Sequence, residues 1–248
     1  MNRIFLFDVD GTLVMNRIIP NSAIRTIKKL RLNNDIVLLS TGRCKGQLND
    51  LLSKIEVDGA ICNNGAYLYI GDKELFKSPI DKKIINDMLN DNLHLAYLSD
   101  KYFIIKDDPI YDDIASYFKI DKAILLDKSY LNEDIYSLNV IDFDINRIDI
   151  NKYNLNFIKV YHNGYDVINK GINKSSPIEI IRKMYPNYQI ISFGDNYNDI
   201  DMLKKSDISI AMANAPDEVK KISTFVTKGP LEDGIEYAIN NYLERLWN

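Results

Sequence analysis

The chain opens with a short apolar run that leads directly into two carboxylates. Residues 4–7 are all apolar, and Asp8 and Asp10 follow, ahead of Gly11 and Thr12. Such a run, bounded by turn residues, is typical of a strand buried on both faces. Because alternate residues of a strand point the same way, Asp8 and Asp10 are expected to share one space and to repel by roughly 3 kcal/mol. The pattern indicates either a polar strand end running into a turn, or a site where a proton or a cation offsets the repulsion.

The first third of the chain alternates between apolar runs and segments with helical spacing. Strands are predicted over residues 4–7, 36–39 and 60–62, and helices over 21–32 and 47–55. A hairpin follows, with its turn at Gly71-Asp72, a two-residue loop that matches the twist of the flanking strands. Strands separated by helices predict a parallel sheet covered on both faces.

The last third repeats this rhythm. Strands are predicted over residues 190–193, 208–211 and 225–226, and helices over 177–184 and 231–246. The segment between the two thirds differs. A helix over 81–89 is followed by hairpins that turn at Ser99-Asp100 and near Asn163-Gly164. Antiparallel hairpins within a βα pattern predict an α+β domain, over residues 80–167, inserted into an α/β parallel-sheet core formed by 1–79 and 168–248.

Composition narrows the class of protein. The 248 residues are 46% hydrophobic and 27% charged, as in an ordinary globular protein, and the net charge of -4 predicts no nucleic-acid partner. No stretch reaches the roughly 20 apolar residues needed to span a membrane, and no signal peptide is evident. Two cysteines, Cys44 and Cys62, provide neither a disulfide framework nor a zinc pattern. We expect a cytoplasmic protein.

Polar residues cluster where the predicted parallel strands end, the edge at which ligands bind in open α/β sheets. Beyond Asp8 and Asp10, the cluster comprises Thr41, Gly42, Arg43, Lys170, Asp195, Asn196, Asn198 and Asp199. Each residue alone is compatible with a turn, a helix cap or an exposed side chain. Together, the carboxylates, hydroxyl, ammonium and backbone amides are the groups that bind Mg²⁺ and a phosphoryl group.

These residues carry a family resemblance. The segments "DVDGT", "STGR", "NKG" and "GDNYND" occur in this order, and the chain from residue 4 to 226 resembles the haloacid dehalogenase-like (HAD) phosphatase superfamily. The order of elements in the inserted segment looks like the C2B cap of the Cof-type sugar-phosphatase branch. The resemblance implies a Rossmann-like core with an inserted cap.

The resemblance also implies catalytic and metal-binding roles. Asp8 is expected to attack phosphorus, and Asp10 to protonate the leaving oxygen and then activate water. Mg²⁺ is expected on the Asp8 carboxylate, the Asp10 backbone carbonyl and the Asp195 carboxylate, with Asp199 supporting the metal ligands.

For the phosphate, the resemblance implies the Thr41 hydroxyl, the amides of Val9 and Gly42, Lys170 and Asn198 as binding groups. Weaker candidates also follow predicted strands: Asn63, Asn64 and Gly65 could face the substrate, and Asn214 in "MANAP" could support the site. His94 and His162 lie in the inserted hairpins, where surface or packing roles are more typical.

The predicted function is a Mg²⁺-dependent phosphatase that acts on small phosphorylated metabolites, sugar phosphates above all. One alternative is a phosphohexomutase of the same superfamily, which would transfer phosphate between positions. Another is a non-enzymatic phospho-aspartate receiver or phosphate-binding regulator, although a receiver needs little more than about 120 residues and carries no large insertion. No Walker A or GxGxxG pattern is present, which disfavours nucleotide kinases and dinucleotide-binding enzymes.

Overall fold

The structure is a computed structural model that describes residues 2–101, 103–105, 124–125, 132–141, 144, 147–161 and 164–243. Its strands are β1 (Arg3–Asp8), β2 (Ile36–Ser40), β3 (Gly59–Cys62), β4 (Tyr67–Ile70), β5 (Lys73–Lys77), β6 (His94–Leu98), β7 (Phe103–Ile105), β8 (Ile124–Leu125), β9 (Ser137–Ile141), β10 (Leu155–Tyr161), β11 (Gly164–Asn169), β12 (Gln189–Gly194), β13 (Ile208–Ala211) and β14 (Phe225–Val226). Its α-helices are α1 (Asn21–Leu32), α2 (Asn49–Leu52), α3 (Lys82–Asn90), α4 (Ile178–Met184), α5 (Ile200–Lys205), α6 (Asp217–Ile222) and α7 (Gly234–Ala238).

The larger sheet has the strand order β14-β13-β12-β1-β2-β3-β4-β5. The strands from β14 to β3 are parallel, and the hairpin β4-β5 closes one edge in antiparallel orientation. In β1, Phe5 and Phe7 pack into one apolar cluster, while Ile4 and Leu6 pack into another on the opposite face. The two-residue period of a strand therefore buries this apolar run on both faces, and the predicted α/β fold class is confirmed.

The second sheet has the order β10-β11-β9-β6-β7-β8, and all its pairs are antiparallel except β7 with β8. A separate apolar cluster covers this sheet, and its fully buried members all lie between Ile80 and Val167. Strand β11 continues to Asn169, whose side-chain amide donates to the carbonyls of Ser78 and Pro79. The two segments that connect the sheets are therefore joined by hydrogen bonds. The division at residues 80–167 stays a prediction.

Two predicted helices are shorter in the structure. The segment predicted as a helix over 47–55 is a 3₁₀ turn, Lys45–Leu48, followed by α2. The segment 231–246 begins with a 3₁₀ turn, Pro230–Glu232, and continues as α7 and a π-helical turn, Ile239–Leu243; residues 244–246 lie outside the described part. The break falls at Asp233, which adopts a left-handed backbone conformation with φ 59° and so interrupts the helix.

Elements without a strong pattern were missed: β9, α5 and α6 were not predicted. Helices α5 and α6 span only six residues each, which is too short for a clear helical period. In the part of the chain that the structure describes, no helix is long and apolar enough to cross a membrane.

Candidate active site

Three neighbouring parallel strands deliver the predicted site residues to one edge of the larger sheet. Strand β1 lies between β12 and β2, and it runs parallel to both. Asp8 ends β1, Thr41 follows β2 and Asp195 follows β12. Because parallel strands end on the same side, these side chains converge there, as the sequence predicts.

A buried ammonium group bridges two carboxylates at the centre of this edge. Nζ of Lys174 lies 2.6 Å from Oδ1 of Asp8 and 2.6 Å from Oδ1 of Asp199, and all three side chains are buried. Burial alone would lower the pKa of Lys174, but the Asp199 and Asp8 carboxylates outweigh it and raise that pKa. Lys174 is therefore a fixed positive charge beside Asp8.

The structure brings Lys174, and not the predicted Lys170, into contact with Asp8. Lys170 is exposed and lies just after β11, whereas Lys174 reaches the site. The chain turns at Gly171, which has a φ of 81°, and then packs against Gly65. A Cβ on Gly65 would lie 1.9 Å from the carbonyl oxygen of Asn173, so only glycine permits this approach. This close packing brings Lys174, the residue after Asn173, to the ends of the parallel strands.

Asp199 anchors the loop that follows β12. Its Oδ2 accepts hydrogen bonds from the backbone amides of Asp195 and Asn196, both at 3.0 Å, while its Oδ1 accepts from Lys174. Both oxygens are thus engaged within the protein. Asp199 is placed to orient Asp195 and Lys174, and its support of a metal site stays a prediction.

Asp195 faces Asp8 from the neighbouring strand end. Its carboxylate accepts hydrogen bonds from Thr12 Oγ1 at 3.1 Å and from Asn214 Nδ2 at 2.9 Å. Burial, and then the Asp199 charge, raise the pKa of Asp195 to about 6. The pKa of Asp8 is also raised well above its usual value, by burial and then by Asp199.

This carboxylate cluster fits a divalent cation. One oxygen from each of Asp8, Asp195 and Asp199 lies within 4.8 Å of the others. Among the described residues, Lys174 is the one ammonium that contacts this cluster, so two negative charges remain uncompensated there when all three carboxylates ionise. Asp199 already accepts three hydrogen bonds, two from backbone amides and one from the Lys174 ammonium. Asp8 is bonded at Oδ1 by Lys174, and Asp195 accepts one hydrogen bond at each oxygen from a neutral side chain, so these two carboxylates keep more acceptor capacity for a metal ion.

Asp10 lies outside the buried carboxylate cluster that contains Asp8, contrary to the expectation from strand periodicity. Strand β1 ends at Asp8, and the chain turns at Val9. The Asp10 side chain is 60% exposed, and Arg43 binds it through two contacts, Nε to Oδ2 at 2.8 Å and Nη2 to Oδ1 at 2.5 Å. The repulsion that a cation would offset therefore lies between Asp8 and Asp195, and Arg43 is a site residue to which no role was assigned from the sequence.

The predicted phosphate-binding residues lie around the same edge. The Thr41 hydroxyl accepts from the backbone amide of Arg43 at 3.1 Å and can still donate its own hydrogen. Val9 and Thr41 are buried, and Asn198 donates its amide to Oδ1 of Asn64 at 3.2 Å. Their contact with phosphate stays a prediction.

The weaker candidates separate into two groups. Asn214 contacts Asp195, and Asn63 donates to Oγ of Ser137 in the second sheet at 2.9 Å. His94 is exposed, and His162 lies outside the described residues. The residues missed from the sequence are Lys174, and Asp166 and Asn139 of the second sheet, which contact Asn64 or one another. "NKGINKSS" contains both lysines, so its second lysine was the available signal.

Comparison with known proteins places this geometry in a family. The sequence profile of haloacid dehalogenase-like hydrolases matches residues 5–239. The chain is 28% identical to a phosphoglycolate phosphatase of Staphylothermus marinus over 99% of both chains. It is 26% identical to YitU of Bacillus subtilis, a 5-amino-6-(5-phospho-D-ribitylamino)uracil phosphatase, over 95% of both chains. Its fold matches the HAD subclass IIB sugar phosphatase BT4131 with a TM-score of 0.80, at 23% identity, covering 97% of this chain and 98% of the other.

The chain belongs to the haloacid dehalogenase-like hydrolase family, in agreement with the resemblance seen in its motifs. The two relatives named above, which match this chain over nearly their full length, are phosphatases by name. The order of its elements, with a second, mainly antiparallel sheet after the β4-β5 hairpin, gives the chain the same fold as that subclass IIB structure.

Proposed function

We propose that this chain is a Mg²⁺-dependent phosphatase that hydrolyses small phosphorylated metabolites, sugar and polyol phosphates above all, through a phosphoryl group on Asp8. The observation that carries the proposal is the buried Asp8 carboxylate, held at Oδ1 by Lys174 and faced by Asp195 at the carboxyl edge of the sheet. A carboxylate fixed at one oxygen offers its other oxygen as a nucleophile.

The proposed reaction has two steps. In the first, the free oxygen of Asp8 attacks phosphorus, the bond from phosphorus to the ester oxygen breaks, and Asp10 gives a proton to the departing alcohol. In the second, Asp10 takes a proton from water as that water attacks the phosphoryl group, which leaves as inorganic phosphate and restores Asp8. Lys174, which contacts Asp8, and the Thr41 hydroxyl, which has a hydrogen free to donate, would stabilise the charge on the phosphoryl oxygens.

A metal ion would be held by the Asp8 and Asp195 carboxylates, with the Asp10 backbone carbonyl as the further ligand that the family resemblance implies. When bound, it would draw the phosphate towards Asp8 and offset the excess negative charge of the cluster. Oxygen ligands alone favour Mg²⁺ over softer metals. Asp199 would keep Asp195 oriented through the two backbone amides that it binds.

The test is the substitution Asp8→Asn, which keeps the shape of the side chain and removes the attacking charge. We expect phosphate release from p-nitrophenyl phosphate in Mg²⁺ to fall by at least about 10³-fold, while the circular dichroism spectrum is unchanged. Asp50→Asn, an exposed carboxylate on α2, is the matched control and should retain full activity. Near-normal turnover by Asp8→Asn would exclude the covalent route, and transfer of phosphate to a second hydroxyl without release would favour a mutase.

A further inference from the structure

A carboxylate of the inserted sheet reaches the edge where the phosphate is proposed to bind. Asp166, on β11, accepts a hydrogen bond at Oδ2 from the Asn64 amide at 2.8 Å and at Oδ1 from the Asn139 amide at 2.5 Å. Asn64 belongs to the larger sheet's loops, while Asn139 lies on β9 of the inserted sheet. Asp166 therefore lies at the junction of the two sheets.

This junction borders the phosphate-binding loop. A Cβ on Gly42 would lie 3.3 Å from Oδ2 of Asp166 and 3.1 Å from Nδ2 of Asn64. Asn198, a predicted phosphate-binding residue, donates to Oδ1 of the same Asn64. A phosphoryl group bound at the Gly42 amide would therefore lie close to Asp166, within reach of the leaving alcohol that it carries.

The cluster of Asp166, Asn64 and Asn139 can accept further hydrogen bonds. An ionised carboxylate offers about four acceptor sites, and the two amides use two of them. Oδ1 of Asn139 is a second acceptor, buried and without a hydrogen-bond partner among the described residues. Asn64 and Asn139 are almost fully buried, whereas Asp166 is partly exposed, so Asp166 is the member that an incoming ligand can contact.

We propose that Asp166, oriented by Asn64 and Asn139, forms a subsite that accepts hydrogen bonds from hydroxyl groups of the leaving alcohol. The subsite favours phosphorylated polyols and sugars, whose hydroxyls donate to the carboxylate. It disfavours substrates whose leaving group carries a carboxylate, because two anions would face each other in a partly desolvated space. This inference rests on the proposed phosphatase function and narrows its substrate class.

The two relatives compared above act, by their names, on substrates of these opposite kinds: a phosphoglycolate ester carries a carboxylate, and a phosphoribityl compound carries a polyol. The proposed subsite would give this chain the substrate preference of the polyol class.

The experiment measures kcat/KM in Mg²⁺ for three substrates: erythritol 4-phosphate, phosphoglycolate and p-nitrophenyl phosphate, which has no hydroxyl or carboxylate. The wild-type protein should prefer the polyol ester to phosphoglycolate by at least about 10-fold. Asp166→Asn keeps the shape but replaces one acceptor oxygen by a donor amide, and should lower kcat/KM for the polyol ester by about 10-fold or more. Phosphoglycolate should be hydrolysed as well or better, and p-nitrophenyl phosphate should change less than about threefold.

Two further variants complete the experiment. Asp87→Asn makes the same charge change at an exposed position on α3 and should leave all three values unchanged. Asp166→Glu retains the charge and provides a second test if the amide variant does not fold; it should preserve the exclusion of phosphoglycolate.

The outcomes separate the subsite from the proposed function. An equal fall for all three substrates in Asp166→Asn would show that Asp166 only holds the two sheets together, and would overturn the subsite. Unchanged ratios, or a wild-type preference for phosphoglycolate, would overturn it as well while leaving the phosphatase intact. If the wild-type protein releases phosphate from none of the three, the proposed function fails, and the subsite with it.

Discussion

At the scale of single residues, the charge balance around Asp8 depends on one ammonium group. Lys174 is buried and contacts both Asp8 and Asp199 at 2.6 Å. Removing one partner from a buried charge network is strongly destabilising, because the remaining charges lose their compensation while staying out of water. Lys170, four residues earlier in the same loop, is exposed, so the chain contains its own control.

We therefore expect Lys174→Met and Lys170→Met to behave differently. Lys174→Met should lower the free energy of unfolding by about 3–5 kcal/mol, unless bound Mg²⁺ compensates part of the loss, and should reduce phosphate release by at least about 100-fold. Lys170→Met should change neither by a measurable amount. Urea unfolding and a phosphate-release assay provide both values, and an inactive Lys170→Met beside an active Lys174→Met would reverse the assignment.

At the scale of elements, the loop after β12 acts as a unit. The Asp199 carboxylate accepts hydrogen bonds from the backbone amides of Asp195 and Asn196. Asn214, which follows β13, donates hydrogen bonds to the Asp195 carboxylate and to the carbonyl of Gly11. The ends of β1, β12 and β13 are thus joined by hydrogen bonds around one acidic pocket. A cation in that pocket would stabilise all three strand ends at once, because it binds the folded chain and not the unfolded one.

This coupling predicts a metal-dependent melting temperature. Mg²⁺ at about 100 times its dissociation constant should add about 2.7 kcal/mol to the free energy of unfolding, which corresponds to a rise in Tm of roughly 5–10 °C. Excess EDTA should remove the rise and abolish hydrolysis. Asp195→Asn should shift the Mg²⁺ concentration for half-maximal stabilisation upwards by about 10-fold or more, while Asp50→Asn should not. A Tm that does not respond to Mg²⁺ would argue against a metal at this site.

At the scale of the whole molecule, the inserted sheet touches the catalytic edge at several places. Gly46 donates its amide to the carbonyl of Asp100, Asn63 bonds to Ser137, and the rings of Tyr67 and Tyr136 lie 5.1 Å apart. The groups proposed to bind phosphate and metal all lie outside residues 80–167. Discrimination between leaving alcohols must then come from groups beyond them, including those of the inserted sheet.

Replacing residues 80–167 by a short Gly/Ser linker should separate these contributions. We expect turnover of large phosphometabolites to be lost, and p-nitrophenyl phosphate hydrolysis to fall less, because this ester needs little beyond the phosphate and metal site. The shortened protein exposes Tyr67, so its folding and its Mg²⁺-dependent Tm are checked first. An unchanged ranking of substrates would place specificity in the larger sheet, at Asn63 and Asn64.

The sequence by itself determined which strands form the larger sheet's parallel part and which polar residues follow them. Apolar runs predicted β1, β2, β12 and β13, because a strand buried on both faces needs uninterrupted apolar residues, and the polar groups that follow such runs must meet at one edge of a parallel sheet. The placement of Asp8, Thr41 and Asp195 depends only on these local rules. Helix α1 was also predicted with its observed bounds, because it is long enough to show a clear helical period.

Only the tertiary structure decided which side chains meet across that edge. Lys170 and Lys174 are equivalent to any local rule, and the choice depends on the contact of Gly65 with the carbonyl of Asn173, two segments far apart in sequence. The turn at Val9 directs Asp10 to Arg43 and not to Asp8. The approach of Asp166 to Asn64 requires two sheets to be packed together, and hydrophobic periodicity carries no information about such contacts, because it specifies which face of an element is buried but not which partner covers it.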